Sequence, residues 1–243
     1  MTAIGVDIGG TSVKVAVVDV ETGNISRSPR RAPTPRPALP EALTEVVAEL
    51  VGDVTVASVG VGFPGVMRRG VAATAANLGP SWLGLDVASL LGTRLAHGQV
   101  VVINDADAAG LAEMRFGSGQ DMQGVVVMVT LGTGIGTAVF SDGVLVPNTE
   151  YGHILIDGVD AETLASGRAE HSLGWDHWSD HLEAFLRTVE RLTWPDAFII
   201  GGGISAEFQR FCTALDTLTP VVAATLGNDA GIVGAALAGA GER

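Results

Sequence analysis

Residues 3–23 read AIGVDIGGTSVKVAVVDVETG, and residues 124–143 read GVVVMVTLGTGIGTAVFSDG. Each stretch has an apolar run typical of a buried strand, then a turn of glycine and threonine, a second apolar run and a closing glycine turn. The same plan at two places indicates an internal duplication. We therefore predict two related α/β halves with a cleft between them.

The first glycine turn has the composition of a phosphate-binding loop. Gly9 and Gly10 let backbone N–H groups approach an anion closely, and Thr11 adds a hydroxyl donor. Asp7, at the end of the preceding strand, could hold the waters of a Mg²⁺ ion. Lys14 is the only lysine of the chain, which fits a role beside phosphate and fits a general preference for arginine equally well.

Two further glycine runs have the same character. The second half repeats the turn with Gly132, Thr133 and Gly134. The third run follows an apolar stretch at residues 197–200 and consists of Gly201, Gly202 and Gly203. We expect a helix to begin at Ile204, and backbone N–H groups at such a junction can meet a nucleotide or a phosphate chain.

Residues 100–115, VVVINDADAAGLAEMR, place an Asn-Asp pair at the end of a strand. Residues 100–103 have the β-branched character of a strand buried on both faces, and residues 106–115 have the pattern of a helix. Ligands bind at the carboxyl edge of parallel sheets, so Asn104 and Asp105 are placed to grip a hydroxyl and take its proton. The alternative is that Asp105 only caps the helix.

Two acids and a histidine form a second polar group. Glu150 and His153 stand in EYGH, and Glu162 follows in AETLASG. These side chains could divide the hydroxyls of a sugar between acceptors and a donor. The alternative is that the two acids lie in a solvated loop and that His153 is a capping or core residue. The residue types alone favour this alternative.

The G-x-G-x-x-G spacing at residues 59–65 does not predict a dinucleotide site. Pro64 lies inside it, and no helical pattern follows. We interpret it as a strand that runs into a binding loop at Gly65. Farther on, Asn77 and Trp82 mark a loop that could pack against a sugar ring or fill a surface crevice.

Composition narrows the classes of function. The 243 residues suit one large domain or two small ones, and a net charge of −13 argues against nucleic acid as a partner. No apolar run has the roughly 18 residues that span a bilayer, and no leader pattern is present, so we expect a cytoplasmic protein without membrane attachment. Cys212, the single cysteine, rules out a disulfide scaffold and is expected in the core.

Charge is unevenly distributed along the chain. Residues 26–40 are rich in proline and arginine, which favours an edge strand and connector over a polyanion contact. Residues 157–196 carry nine acids and three arginines. An amphipathic helix is expected within them, with an apolar stripe formed by Trp178, Leu182, Phe185, Leu186, Val189 and Leu192.

Together the motifs resemble the ROK family of sugar kinases, and within it the polyphosphate glucokinases. The resemblance runs through DIGGTSVK, VGVGFPG, TAANLGPSW, INDADAAGLAEMRFG, TLGTGIG, LVPNTEYGH, WPDAFIIGGGIS and NDAGIVGAA. It implies a two-lobed α/β fold of the actin-like ATPase type, ribonuclease H-like, with the active site in the interlobe cleft. The lobes would be residues 1–108, with the C-terminal helix at 228–243 packing back on them, and residues 109–227.

The resemblance also implies an activity and a set of roles. The protein would transfer a phosphoryl group from ATP or polyphosphate to the 6-hydroxyl of glucose, with mannose as a further candidate acceptor, Mg²⁺ as cofactor and a homodimer as assembly. Asp105 would be the general base. Other hydroxyls would be held by Asn104, Glu150, His153 and Glu162, with Asn77 and Gly65 close by. The donor would be bound by Asp7, which would hold Mg²⁺ through water, and by Gly9, Gly10, Thr11, Lys14, Gly132, Thr133, Gly134, Gly201, Gly202 and Gly203.

Two departures from the family pattern lead to further expectations. Only eight residues separate His153 from Glu162 and none is cysteine, so we expect no structural zinc. Lysines that polyphosphate glucokinases carry after GGGIS and on the preceding helix are replaced here by residues such as Glu207, Asp176 and Asp180. We therefore expect ATP to serve at least as well as polyphosphate.

Three other classes remain as alternatives. A ROK-type repressor would need a DNA-binding domain ahead of the first strand, and we do not expect one before Met1. A sugar-binding regulatory relative with weak or no kinase activity would not need Asp105. A filament-forming actin-like ATPase would have no use for Glu150, His153 and Glu162.

Overall fold

The computed structural model describes residues 1–54, 56–97 and 99–241. The strands within these ranges are β1 (Thr2–Ile8), β2 (Ser12–Asp19), β3 (Arg30–Pro33), β4 (Val59–Phe63), β5 (Met67–Arg68), β6 (Val71–Ala72), β7 (Val100–Asn104), β8 (Val125–Leu131), β9 (Ile135–Ser141), β10 (Val144–Val146), β11 (Leu155–Ile156), β12 (Val159–Asp160), β13 (Ala197–Gly201) and β14 (Val221–Ala223). The α-helices are α1 (Pro40–Val51), α2 (Val87–Leu95), α3 (Asp105–Phe116), α4 (Ala161–Ala165), α5 (Gly167–Leu173), α6 (Trp175–Thr193) and α7 (Ala230–Gly239).

The chain divides into two compact units with matching sheets. Unit 1 comprises Met1–Ala112 and Asp229–Arg243, and unit 2 comprises Glu113–Asn228. The five-stranded sheet of unit 1 has the order β3-β2-β1-β4-β7, and that of unit 2 has the order β10-β9-β8-β13-β14. In each sheet the first strand of the glycine-turn hairpin is antiparallel to the second and parallel to its other neighbour. The internal duplication predicted from the sequence is therefore confirmed in the topology.

One face of the unit 1 sheet packs against α1 and α2. Ile4 and Val6 of β1 form a buried cluster with Leu43 and Val47 of α1. Successive side chains of a strand point to opposite faces, so Gly5 lies on the other face. Strand β3 is the edge of this sheet, as expected for its proline-rich segment.

Helix α7 packs on the other face of the unit 1 sheet, against β1 and β4. The approach is so close that a Cβ atom on Gly5 would overlap the carbonyl oxygen of Ile232, and one on Gly60 would overlap that of Ala235. Glycines on the helix and the sheet therefore let the two backbones pack directly against each other.

The core of unit 2 is covered by α6, with one departure from the predicted stripe. Five of the predicted residues are buried, but Leu192 is 65% exposed. In the last turn Glu190 is buried instead, and its Oε1 accepts a hydrogen bond from the backbone N–H of Thr219 at 2.6 Å. In this turn of α6 the hydrogen-bonded Glu190 carboxylate thus faces the core, where the predicted stripe placed the apolar side chain of Leu192.

The structure decides between the alternatives left open for Trp82, and two other local expectations were wrong. Trp82 is only 1% exposed, because its ring packs 5.2 Å from that of Phe63 and its Nε1–H donates to the Ala38 carbonyl. Cys212 is partly exposed and lies at the start of a short 3₁₀ turn, not in the core. Residues Gly203–Arg210 form 3₁₀ turns with a kink at Glu207 where a regular helix was expected. Within the described ranges, no helix is long and apolar enough to cross a membrane.

Candidate active site

The carboxyl edge of the unit 1 sheet gathers polar groups from three strands. Strands β1, β4 and β7 run parallel, so their carboxyl ends meet at one edge. The segments that follow them there carry Asp7 with the first glycine turn, then Gly65, then Asn104 with Asp105. Ligand sites of parallel sheets lie at this edge.

Asn104 is a buried junction between two of these segments. Its Oδ1 accepts hydrogen bonds from the backbone N–H groups of Ala106 at 2.8 Å and Asp107 at 3.1 Å, and its Nδ2 donates to the Gly65 carbonyl at 3.2 Å. Asn104 therefore caps α3 and ties it to the loop after β4. Asp105, the first residue of α3, stays partly exposed, with Oδ1 accepting from the Ala106 N–H at 2.9 Å.

Asn77 lies beside the first glycine turn. A Cβ atom on Gly10 would stand 3.0 Å from the Cβ of Asn77. The Arg36 guanidinium donates to the carbonyl oxygens of both residues, at 2.5 Å to Gly10 and 3.5 Å to Asn77. Arg36 therefore links the first glycine turn to the segment that contains Asn77. This role was not predicted from the sequence.

Asp7 and Lys14 form an ion pair of 2.9 Å, and their side chains are 17% and 16% exposed. Mg²⁺ in phosphoryl-transfer sites usually keeps several waters and takes one or two carboxylates together with substrate phosphates. A single partly accessible carboxylate beside a glycine turn fits that role. Among the described residues, no group of three or more His, Cys, Asp and Glu side chains is placed to hold a metal ion by itself. The expected absence of a structural zinc stays a prediction.

In unit 2 the second glycine turn is braced by Glu162. Its Oε2 accepts a hydrogen bond from the Ile135 N–H at 2.9 Å, directly after Gly134. Asp160 caps α4 by accepting from the Glu162 N–H at 3.0 Å, and its other oxygen is hydrogen-bonded to His153 Nδ1 at 3.0 Å. The structure thus brings His153 and Glu162 together through Asp160, which was not predicted as a site residue.

Electrostatic coupling joins Glu150 to the same group. Its carboxylate lies 3.9 Å from His153 Nε2. Burial raises the pKa of Glu150 above its ordinary value, and the nearby Glu162 charge adds to this, while His153 opposes it. The hydrogen bond that His153 donates to the Asp160 carboxylate raises the pKa of His153, and the surrounding carboxylates contribute further. The surrounding carboxylates therefore favour the protonated form of the His153 imidazole.

The third glycine run packs directly on the second turn. Gly202 has φ 78°, and a Cβ atom there would overlap the backbone of Leu131. The N–H of Arg168, near the start of α5, donates to the Gly132 carbonyl at 2.9 Å. These segments line a cavity of about 860 Å³ within unit 2, which Trp175 and Arg210 also line. Trp175, Arg168 and Arg210 were not among the predicted site residues.

Taken together, the two matching sheets and the glycine turns at their strand ends define a duplicated α/β protein whose polar groups gather at the carboxyl edge of a parallel sheet. The chain belongs to the ROK family, whose model matches residues 3–172.

Its relatives agree with this assignment. The chain is 43% identical over 237 residues to polyphosphate glucokinase from Mycobacterium tuberculosis (strain CDC 1551 / Oshkosh), with 96% of the chain and 89% of the relative covered. A crystal structure of inorganic polyphosphate/ATP-glucomannokinase from Arthrobacter sp. strain KM matches with TM-score 0.93 and 48% identity, over 98% of this chain and 97% of that one. The crystal structure of a ROK family glucokinase from Streptomyces griseus, in complex with glucose and AMPPNP, matches with TM-score 0.83 and 27% identity, over 99% of this chain and 100% of that one. The mixed α/β fold is thus that of ROK sugar kinases.

Proposed function

We propose that this protein is a glucokinase that transfers a phosphoryl group from ATP or inorganic polyphosphate to the 6-hydroxyl of glucose. The observation that carries the proposal is Asp105, a partly exposed carboxylate at the carboxyl edge of the sheet, on a helix that Asn104 caps. The similarity to proteins named polyphosphate glucokinase and polyphosphate/ATP-glucomannokinase supports it.

In the proposed reaction Asp105 accepts the proton of the 6-hydroxyl as the oxygen attacks the terminal phosphorus of the donor. The bond from that phosphorus to its bridging oxygen breaks, and ADP, or polyphosphate shortened by one phosphate, leaves. Asn104 positions this base through the cap and through its hydrogen bond to Gly65. Glu150, His153 and Glu162 are assigned to the remaining hydroxyls, since carboxylates accept hydrogen bonds and an imidazole N–H donates them.

The donor phosphates are assigned to the backbone N–H groups of the glycine turns. The turns of residues 9–11 and 132–134 and the run at 201–203 are the segments concerned, with Lys14 beside the first. Asp7 would hold Mg²⁺ through water, and the ion would neutralise charge on the transferred phosphate. The Lys14 ammonium pairs with the Asp7 carboxylate at 2.9 Å.

Two finer points belong to the same proposal. We include mannose as an acceptor, because the Arthrobacter relative is named a glucomannokinase. We also include a homodimer, which light scattering coupled to size-exclusion chromatography would test at the protein concentration of the assay.

A coupled assay for glucose 6-phosphate tests the function. Purified protein is supplied with glucose or mannose, Mg²⁺, and either ATP or polyphosphate. Turnover of glucose with at least one donor is expected, with a loss of about a hundredfold or more in the Asp105→Asn variant. Binding of glucose without turnover by either donor would reject the kinase and favour a sugar-binding regulatory protein.

A further inference from the structure

A cation–π pair of side chains forms part of the wall of the unit 2 cavity. The guanidinium carbon of Arg210 lies 4.4 Å from the centre of the Trp175 ring, and both residues line the cavity. Trp175 is fixed in turn by two fully buried rings, Trp178 edge-on at 5.6 Å and Phe211 stacked at 6.0 Å. The wall is therefore a flat cation on a flat aromatic ring that packing holds in place.

The charge of this pair is partly neutralised. Arg210 Nη1 lies 3.5 Å from Glu207 Oε2, and the Arg210 side chain is 56% exposed. His171, which also lines the cavity, has its Nδ1 3.4 Å from Glu170 Oε2. A bare phosphate chain needs uncompensated positive charge along its length, whereas a nucleobase needs a planar surface. Arg210 on Trp175 supplies a planar surface, whereas its positive charge is partly neutralised by Glu207.

Arg168 differs from Arg210 in this respect. It lines the same cavity, its backbone is hydrogen-bonded to Gly132 of the second glycine turn, and it has no ion-pair partner among the described residues. The cavity thus combines one uncompensated cation next to a phosphate-type turn with one planar platform.

We propose that the Trp175–Arg210 pair is the specificity determinant for a nucleoside triphosphate donor: the base stacks on Arg210, while Arg168 contacts the donor phosphates. This rests on the proposed kinase function and deepens it. A guanidinium stacks well on planar rings, a property that an ammonium lacks. Since every base has a π-face, the platform selects nucleotides over bare polyphosphate with little preference between adenine and guanine.

Direct binding separates the base from the phosphates. Calorimetry with ADP and with inorganic tripolyphosphate, both with Mg²⁺, is performed on the wild-type protein and on Arg210→Ala and Arg210→Lys. Both variants should lose ADP affinity by about 5- to 100-fold, the usual range for one stacked base. Tripolyphosphate affinity should change by less than about threefold, and GDP should follow ADP.

Matched control variants distinguish the stack from the ion pair and from phosphate contact. Glu207→Gln breaks the ion pair of Arg210 but keeps the stack, so ADP affinity should stay within about twofold of wild type. Arg168→Ala should weaken ADP and tripolyphosphate alike, because both carry the phosphates that it contacts. Thermal unfolding of each variant checks that the protein is still folded. Because Arg210 is exposed, its replacement is expected to leave the fold intact.

Three outcomes would overturn the inference. They are a wild-type ADP affinity in Arg210→Lys, an equal loss for ADP and tripolyphosphate in Arg210→Ala, or a loss in Glu207→Gln as large as that in Arg210→Ala. The first two would assign Arg210 to phosphate binding, and the third would assign the effect to the ion pair. The readout does not require turnover, so a protein without glucose kinase activity would reject the proposed function and leave this test standing.

Discussion

The Glu162 carboxylate accepts a hydrogen bond from the backbone N–H of Ile135 at 2.9 Å, so a residue assigned to the sugar also braces the second glycine turn. Gly134 leaves no room for a Cβ atom beside the same carboxylate. Under the proposed function, this one side chain would couple acceptor binding to the shape of the turn assigned to the donor.

Replacing Glu162 in two ways separates these roles. Glu162→Gln keeps a side-chain oxygen for the Ile135 N–H but loses the charge, so we expect the KM for glucose to rise about tenfold or more and the KM for ATP to stay within about threefold. Glu162→Ala removes the brace as well, so both KM values should rise. Steady-state kinetics with each substrate varied in turn measure this. An unchanged ATP KM in Glu162→Ala would show that the turn holds its shape without the carboxylate.

Asp105→Asn tests the general base. The amide cannot take the proton, so kcat should fall by about 10²- to 10⁴-fold, while the Kd for glucose changes by less than about threefold. Titration of glucose by intrinsic fluorescence supplies the binding control. Near-normal turnover in a folded variant would remove Asp105 from the role.

The raised pKa of Glu150 predicts a dependence of stability on pH. A carboxyl group whose pKa is raised by folding stabilises the folded state below its unfolded pKa, and that contribution is lost as pH rises through the folded value. Ionised Glu150 therefore destabilises the protein near neutrality, and Glu150→Gln should be more stable relative to wild type at about pH 7 than at about pH 4.5. Urea unfolding at both pH values measures this.

The same variant should bind glucose about tenfold or more weakly near pH 7, because the ionised acceptor is lost. A stability gain that is equal at both pH values would contradict the assignment of the effect to ionisation of Glu150.

Close packing of α7 makes Gly60 intolerant of a side chain. Gly60→Ala would place a methyl group on the Ala235 carbonyl, and overpacking of this kind costs about 1–3 kcal/mol or more. We expect an unfolding midpoint in urea lowered accordingly. Gly203→Ala is the matched control, because a Cβ atom there meets no heavy atom within 4 Å. Equal stability of the two variants would mean that α7 can shift to admit the methyl group.

Local patterns were sufficient for the elements that carry the site. The strand before Asn104 was predicted from a run of β-branched residues, and the helix after Asp105 from apolar spacing, because both signals lie within a few residues. The duplication was visible for the same reason, since each glycine turn is bounded by its own two strands.

Contacts between distant segments could not be predicted in this way. Nothing near His153 indicates that Asp160 folds back onto it, and Trp175 and Arg210 are thirty-five residues apart in sequence. The residues around Trp82 have the composition of a surface loop. Trp82 can nevertheless be buried, because its indole N–H donates a hydrogen bond to the backbone carbonyl of Ala38. These features depend on tertiary packing.

The place of α7 in unit 1 has a consequence for synthesis of the chain. Unit 2 is one continuous segment, Glu113–Asn228. The unit 1 sheet therefore emerges from the ribosome well before the helix that covers Gly5 and Gly60. At about 5–20 residues per second, translation of unit 2 delays that helix by roughly 6 to 23 s. During this interval the nascent sheet has one bare face, so this is when chaperone binding or aggregation would be strongest, and slower codons within unit 2 would prolong it.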